Sequence, residues 1–234
     1  MKAIILAGGF GTRLREVVKD VPKPMAPVAG KPFLEYLVLQ LAKWKIKEII
    51  LSIGYKGDVI KAYFGNGKNF GVKIRYSKEK EPLGTGGAIR QSLTHVDDDE
   101  FIVMNGDSFL NADFYELVSR HYAWHAKATI GLVQTQNTSR YGRVERNEKG
   151  EVVRFVEKSS ERDGLINGGV YIFRREVFHG ISSGNVSLEN QILPSLVNHG
   201  LYGIIVHGFF IDIGVPRDYL TLYHEPKRFV DILK

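Results

Sequence analysis

The residues best placed to do chemistry come early in the chain. Leu6, Ala7, Gly8, Gly9, Phe10, Gly11 and Thr12 run in sequence, Arg13 follows at once, and Lys23 stands between Pro22 and Pro24. A turn built on Gly8, Gly9 and Gly11 exposes backbone N–H groups with no side chain in the way, so a phosphate can sit against it. Arg13 and Lys23 supply the positive charge that a polyphosphate needs. Further on, Asp107 closes the string FIVMNGD and Asp212 closes FFID, each a carboxylate at the end of an apolar run.

Two familiar glycine loops do not fit the opening stretch. A P-loop requires G-x-x-x-x-G-K-[ST], and no Gly-Lys-Ser or Gly-Lys-Thr lies near it. A dinucleotide fingerprint counted from Gly9 and Gly11 would need a third glycine where the chain has Leu14. What remains is G-G-x-G-T-R-L followed by P-K-P.

The surrounding elements must hold these groups in place. Ala3 to Leu6 reads as a short apolar strand, and Leu34, Leu37, Val38 and Leu41 mark one buried face of a helix from Phe33 to Trp44. Glu48 to Ile53 reads as a strand, Asp58 as the cap of a helix with Val59, Ile60, Tyr63 and Phe64 inside, and Val72 to Tyr76 as a third strand. This rhythm predicts a mostly parallel, doubly wound sheet that binds ligands at the carboxyl ends of its strands. Glu79 to Leu93 offers a second glycine-rich helix entry, with Thr85 as N-cap and bare backbone near Gly84. Phe101 to Met104 then delivers Asn105 and Asp107 to the crevice.

Beyond Asp113, which with Glu116 starts a helix reaching about His125, the chain turns strand-rich. His121 and His125 are four apart but lack an intervening glutamate, and they read as a solvated or partly buried face. Gly142 to Arg146 and Val152 to Glu157 flank a hairpin turn, Gly169 to Phe173 is a buried strand, and Ser187 caps a helix that Pro194 should kink or divide. Leu201 to Val206 and Phe209 to Ile211 follow as strands, and Pro216 suits the first turn of a closing helix.

Composition narrows the class. At 234 residues, 44% of them apolar and 25% charged, the chain suits one large α/β domain. Without cysteine, disulfides, thiolate metal sites and cysteine nucleophiles are excluded, which is compatible with the cytoplasm. No apolar run approaches the length of a membrane span, and Met1 leads straight into a strand, so neither membrane insertion nor a signal peptide is expected. The net charge of +6 is scattered rather than blocked, which favours a phosphate-rich small substrate over nucleic acid.

The opening string closely resembles the signature of the sugar-1-phosphate nucleotidyltransferases, and the resemblance covers essentially the whole chain to Tyr219. It implies a Rossmann-like mixed, mainly parallel sheet flanked by helices, of the nucleotide-diphospho-sugar transferase type, with a smaller sugar-binding β subregion. A single domain over residues 1–234 would hold a nucleotide-binding half (about 1–125) and a sugar-binding half (about 126–225), with no appended β-helix domain. By the same resemblance PLGTGGA is the second nucleotide loop, where Gly84 and Thr85 approach the base. Leu6, Ala7, Gly8, Gly9, Gly11, Thr12 and Asn105 complete the nucleotide site. Tyr141-Gly142 presents a backbone N–H to a sugar hydroxyl, Glu157 accepts from hydroxyls, Lys158 meets the sugar phosphate, and Asn167-Gly168 lies beneath the sugar. Asp107 matches the aspartate of the family's G-D pattern, and DIGVPRDY matches its D-x-G-x-P-x-x-Y, so Asp107 and Asp212 are implied ligands of Mg²⁺.

The implied reaction is attack by a sugar 1-phosphate on the α-phosphorus of a nucleoside triphosphate, releasing pyrophosphate. Arg13 is implied to clamp the β and γ phosphates and Lys23 the α-phosphate, with Asp107 as the third catalytic group. The nucleophile is already an anion at neutral pH, so no general base is needed. The strings PLGTGGAI, LINGGVYIF and FIDIGVPRDY look most like the branch that joins GTP to heptose 1-phosphate for bacterial surface polysaccharide. A mannose-1-phosphate guanylyltransferase, or a cytidylyl-, uridylyl- or thymidylyltransferase on another sugar phosphate, stays open. So does a non-catalytic nucleotide-sensing module. A dinucleotide-dependent oxidoreductase would need the missing third glycine. Relatives often form homodimers, which the resemblance carries over to this chain.

Overall fold

The first strand, β1 (Ala3–Ala7), is buried along its length, and its side chains alternate between two cores. Ala3, Ile5 and Ala7 enter one hydrophobic cluster and Ile4 the other, as a parallel strand covered on both faces requires. The structure, a computed structural model, describes residues 1–136, 138–157 and 163–232, without the side chains of Arg13, Arg15 and Arg228.

After β1 come a two-residue hairpin, β2 (Pro27–Val28) and β3 (Lys31–Pro32), and the helix α1 (Phe33–Lys43). Next are β4 (Glu48–Ile53), α2 (Gly57–Phe64), β5 (Lys73–Lys78), α3 (Gly84–Ser92) and β6 (Glu100–Asn105). A short β7 (Ser108–Leu110) and α4 (Phe114–Ala123) lead into β8 (Ala128–Thr135), the hairpin β9 (Arg143–Arg146) and β10 (Val152–Val156), and the long β11 (Gly164–Arg174). A π turn over Leu188–Ile192 passes into a single α turn, α5 (Leu193–Ser195). The described chain closes with β12 (Leu201–Ile205), β13 (Phe210–Asp212), α6 (Pro216–His224) and α7 (Lys227–Ile232).

Strands β5, β4, β1 and β6 lie side by side and parallel. Beyond β6 the sheet continues through β11, which runs antiparallel to it, then β8 and β12. The first residues of β11 also pair with β9 and so carry the β9–β10 hairpin. This is the mixed, mainly parallel sheet that the sequence predicts.

Helices cover both faces. Leu34, Leu37 and Leu41 of α1 pack with Phe64, Phe114, Leu222 and Phe229 on one side. Ile89 of α3 packs with Phe101, Phe173, Leu188 and Ile192 on the other. Truncating fully buried Leu37 to alanine would cost about 2–5 kcal/mol.

Several local expectations change. Asp58 does not cap α2: it sits inside the first turn, and its carboxylate accepts from Lys78 Nζ at 3.0 Å. Val59 and Tyr63 are exposed, and Ile60 and Phe64 make that helix's buried face. Helix α3 starts two residues before Gly86, so Thr85 lies within it rather than capping it. The histidine pair is split. Helix α4 ends at Ala123 and His125 turns left-handed and outward, whereas His121 is fully buried with Nδ1 2.8 Å from Thr129 Oγ1. Burial brings its pKa down to about 4, so it is held neutral. Asp113 and Ser187 cap as expected, and Pro194 falls where the π turn becomes α5.

Candidate active site

A cleft of about 680 Å³ opens at the carboxyl ends of the parallel strands. The turn after β1 floors one end: Gly11 is left-handed (φ 60°), and a side chain there would strike Lys23 Cβ. Thr12 to Glu16 then form a 3₁₀ helix rather than continuing the strand. Opposite, the α3 entry is fastened to the second half of the chain. Gly86 N donates to Val186 O at 2.8 Å, Thr85 Oγ1 donates to Glu189 Oε2 at 2.7 Å, and Leu188 N donates to Thr85 Oγ1 at 2.8 Å. Glu79 stands between these walls and fills the space a side chain at Gly8 would take. Its carboxylate accepts from Leu83 N at 3.2 Å and Ser52 Oγ at 3.4 Å. Burial raises its pKa, and those two hydrogen bonds oppose the rise.

The two aspartates meet by an unexpected route. Strands β6 and β13 do not pair; instead β13 pairs antiparallel with β7, placing Asp212 opposite Ser108, next to Asp107. Ile213 N donates to Asp107 O at 2.9 Å and locks the junction. Lys23 Nζ donates to Asp107 Oδ2 at 2.5 Å. A side chain at Gly214 would meet that same Nζ at 2.7 Å and Asp212 Oδ1 at 2.6 Å, and the Gly214 N–H donates to Asp212 Oδ1 at 2.6 Å, so glycine there lets Lys23 and Asp212 approach the same spot.

The strand-rich half flanks this cleft. Tyr141 hydrogen-bonds to Asp212, and burial first, then the Asp212 charge, pushes its pKa up to about 12. Arg140 grips Asp218 with two nitrogens, at 2.7 and 3.2 Å, and stacks over the Tyr141 ring. Gly142 lies against Val156 O, which brings it beside exposed Glu157 at the end of β10. Asn167 Nδ2 donates to the Tyr171 hydroxyl at 2.8 Å, and Gly169 N donates back to Asn167 Oδ1 at 3.0 Å.

A family model described as nucleotidyl transferase matches residues 2–226. The chain belongs to that family. It is 43% identical to the D-glycero-alpha-D-manno-heptose 1-phosphate guanylyltransferase of Campylobacter jejuni, over 96% of this chain and 98% of that one. A protein of the same description from Aneurinibacillus thermoaerophilus is 41% identical, over 98% of this chain and all of that one. Among solved structures, HddC from Yersinia pseudotuberculosis complexed with GMP-PN superposes with a TM-score of 0.85 at 34% identity, covering 96% of this chain and 98% of that one.

In this nucleotidyl transferase the cleft gathers Leu6, Gly8, Gly9, Gly11, Thr12, Lys23, Gly84, Thr85, Asn105 and Asp107 along one surface. Ala7 lies behind that surface, fully packed in the core. Tyr141, Gly142, Glu157, Asn167, Gly168 and Asp212 flank the cleft rather than line it. Arg13 contributes a backbone position in the 3₁₀ helix, and Lys158 lies outside the described residues. Sequence reasoning passed over Glu79, Tyr55, Asn185 and Glu189, all of which line the cleft. Only Glu79 carried a signal, as an acidic residue directly ahead of a glycine-rich helix entry. Glu189 reaches the site through a fold contact with Thr85, 104 residues away in sequence.

Proposed function

We propose that this nucleotidyl transferase moves GMP from GTP to D-glycero-α-D-manno-heptose 1-phosphate, giving GDP-heptose and pyrophosphate in the cytoplasm. The observation that carries the reading is the convergence of Asp107, Asp212 and Lys23 at the strand ends, in a chain matching heptose 1-phosphate guanylyltransferases along nearly its whole length.

The donor set fits a hard divalent cation, because the β7–β13 pairing brings the Asp212 carboxylate next to Asp107, and both offer oxygen. Asp107 and Asp212 would hold Mg²⁺, which when bound screens the triphosphate and stabilises charge at the phosphorus under attack. Arg13 is assigned to the β and γ phosphates and the leaving pyrophosphate, and Lys23 exchanges its bond to Asp107 for the α-phosphate. Lys158 receives the sugar phosphate, while Glu157, the Gly142 N–H and Asn167 accept and donate to the sugar hydroxyls.

Glu79 supports guanine. The Watson–Crick edge of guanine offers two adjacent N–H donors, from its ring nitrogen and its amino group, and an ionised carboxylate offers two acceptors to match. Adenine presents an acceptor at the corresponding ring position, and that lone pair would face a carboxylate oxygen.

The test is a matrix of GTP, ATP, CTP, UTP and dTTP against heptose, mannose and glucose 1-phosphates with Mg²⁺, read by pyrophosphate release. The fastest well is expected to hold GTP with heptose 1-phosphate. A faster mannose well would move the chain to mannose 1-phosphate, and silence throughout would leave a nucleotide-sensing module.

A further inference from the structure

Tyr171 is fully enclosed in the core beneath the cleft, stacked on Phe173, in a place where phenylalanine would pack equally well. A phenol buried this deeply costs free energy unless its hydroxyl is paired. Its hydroxyl accepts from Asn167 Nδ2 at 2.8 Å, and the amide of Asn105 is its neighbour on the same sheet face. These two asparagines belong to different strands and different halves of the chain. Asn105 ends β6 and lines the nucleotide cleft, while Asn167 precedes an irregularity in β11 that interrupts its pairing with β8 before Tyr171.

The register explains how one hydroxyl reaches both. Tyr171 pairs with Val103, so its ring shares a face with Val103 and, two residues on, with Asn105. The irregularity lets Asn167 turn back over the same ring. Gly169 makes this possible: its backbone is left-handed (φ 74°), and a Cβ there would meet Asn105 Nδ2 at 3.1 Å and collide with Ser108 Oγ. Asn105 Oδ1 is buried without a hydrogen-bond partner among the described residues, which leaves its amide dependent on its packing neighbours for orientation.

We infer that Tyr171 is a positioning residue that joins the nucleotide and sugar halves of the site, fixing Asn105 and Asn167 through one buried hydroxyl. The inference rests on the proposed function, in which Asn105 serves GTP and Asn167 serves the sugar phosphate. It adds that each asparagine also affects the other substrate. A hydroxyl that only filled the core would influence stability and neither Michaelis constant.

The experiment is steady-state kinetics with GTP and heptose 1-phosphate on Tyr171→Phe, Asn105→Ala, Asn167→Ala and the two double variants that contain Tyr171→Phe. Tyr171→Phe is expected to raise KM for both substrates about fivefold, the worth of one neutral hydrogen bond, with kcat within about twofold of wild type. Asn105→Ala is expected to raise KM for the sugar phosphate as well as for GTP, and Asn167→Ala to raise KM for GTP as well as for the sugar phosphate. Adding Tyr171→Phe to either should change little more. If Tyr171→Phe lowers Tm and leaves both constants alone, or adds in full to each asparagine variant, the bridge is overturned. If each asparagine variant affects only its own substrate, the bridge is overturned even where Tyr171→Phe does not fold. If the asparagine variants alter neither constant, their assignments fall, and the bridge falls with them.

Discussion

The two carboxylates at the mouth of the cleft are delivered by different kinds of strand. Asp107 follows a parallel strand and is paired with a full positive charge, Lys23, whose side chain is only 12% exposed. Asp212 comes from the two-stranded β7–β13 patch, takes the Gly214 N–H on its Oδ1 at 2.6 Å, and has the Tyr141 phenol beside it. The same contrast runs through the two halves. The half proposed to take the nucleotide is made of backbone at strand ends, with bare glycines lining the cleft. The half proposed to take the sugar is made of side chains on a hairpin and an antiparallel strand, steadied by the Arg140–Asp218 pair. Triphosphates differ little from one another, so a fixed backbone cradle suits them all. Sugars differ hydroxyl by hydroxyl, so their recognition needs side chains that can be exchanged.

Five variants would break or sharpen this comparison. The largest effect is expected from Asp107→Asn and Asp212→Asn, which should each cut pyrophosphate release by about 10² to 10³ while far-UV circular dichroism stays unchanged. Activity near wild type in either would remove that carboxylate from the metal site. Lys23→Ala should lower kcat by about 10² with little change in KM for the sugar phosphate. A rise confined to the sugar-phosphate KM would place Lys23 on the wrong substrate.

Tyr141→Phe should weaken Mg²⁺ by about tenfold, because it removes the phenol that helps orient Asp212, and calorimetric titration with Mg²⁺ reads this without turnover. Unchanged metal affinity would make the phenol a packing residue only. The smallest effect is a pH dependence. If Glu79 reads guanine as proposed, it does so ionised; burial raises its pKa, so KM for GTP should climb as pH falls through that raised value. Glu79→Gln should have a high KM for GTP at every pH. A KM profile that is the same in both proteins would exclude Glu79 from base recognition.

Much of the nucleotide half was legible because its parts are contiguous. The apolar run of β1, the turn at Gly8 to Gly11, and Asp107 after β6 each sit within a dozen residues and follow from strand and turn chemistry alone. The closing helix at Pro216 was legible for the same reason. What escaped was decided by contacts between distant segments. Thr85 reads as an N-cap from its neighbours, but Leu188 and Glu189 engage its hydroxyl from the other half of the chain. Tyr141 reads as a backbone contributor, yet its hydroxyl reaches Asp212 across 71 residues. His121 reads as part of a solvated or partly buried face, but β8 brings Thr129 against its ring and buries it fully. The pairing that joins Asp107 to Asp212 depends on β7, three residues too short to announce itself as a strand.

The central claim is that a sugar-phosphate oxygen attacks the α-phosphorus of GTP within this cleft. Heptose 1-phosphate carrying ¹⁸O in its phosphate, incubated with GTP, Mg²⁺ and the protein, tests it by ³¹P NMR. All of the label is predicted in the diphosphate of GDP-heptose, including its bridging oxygen, and none in pyrophosphate. Label in pyrophosphate, or GTP consumed without a labelled diphosphate, would contradict it.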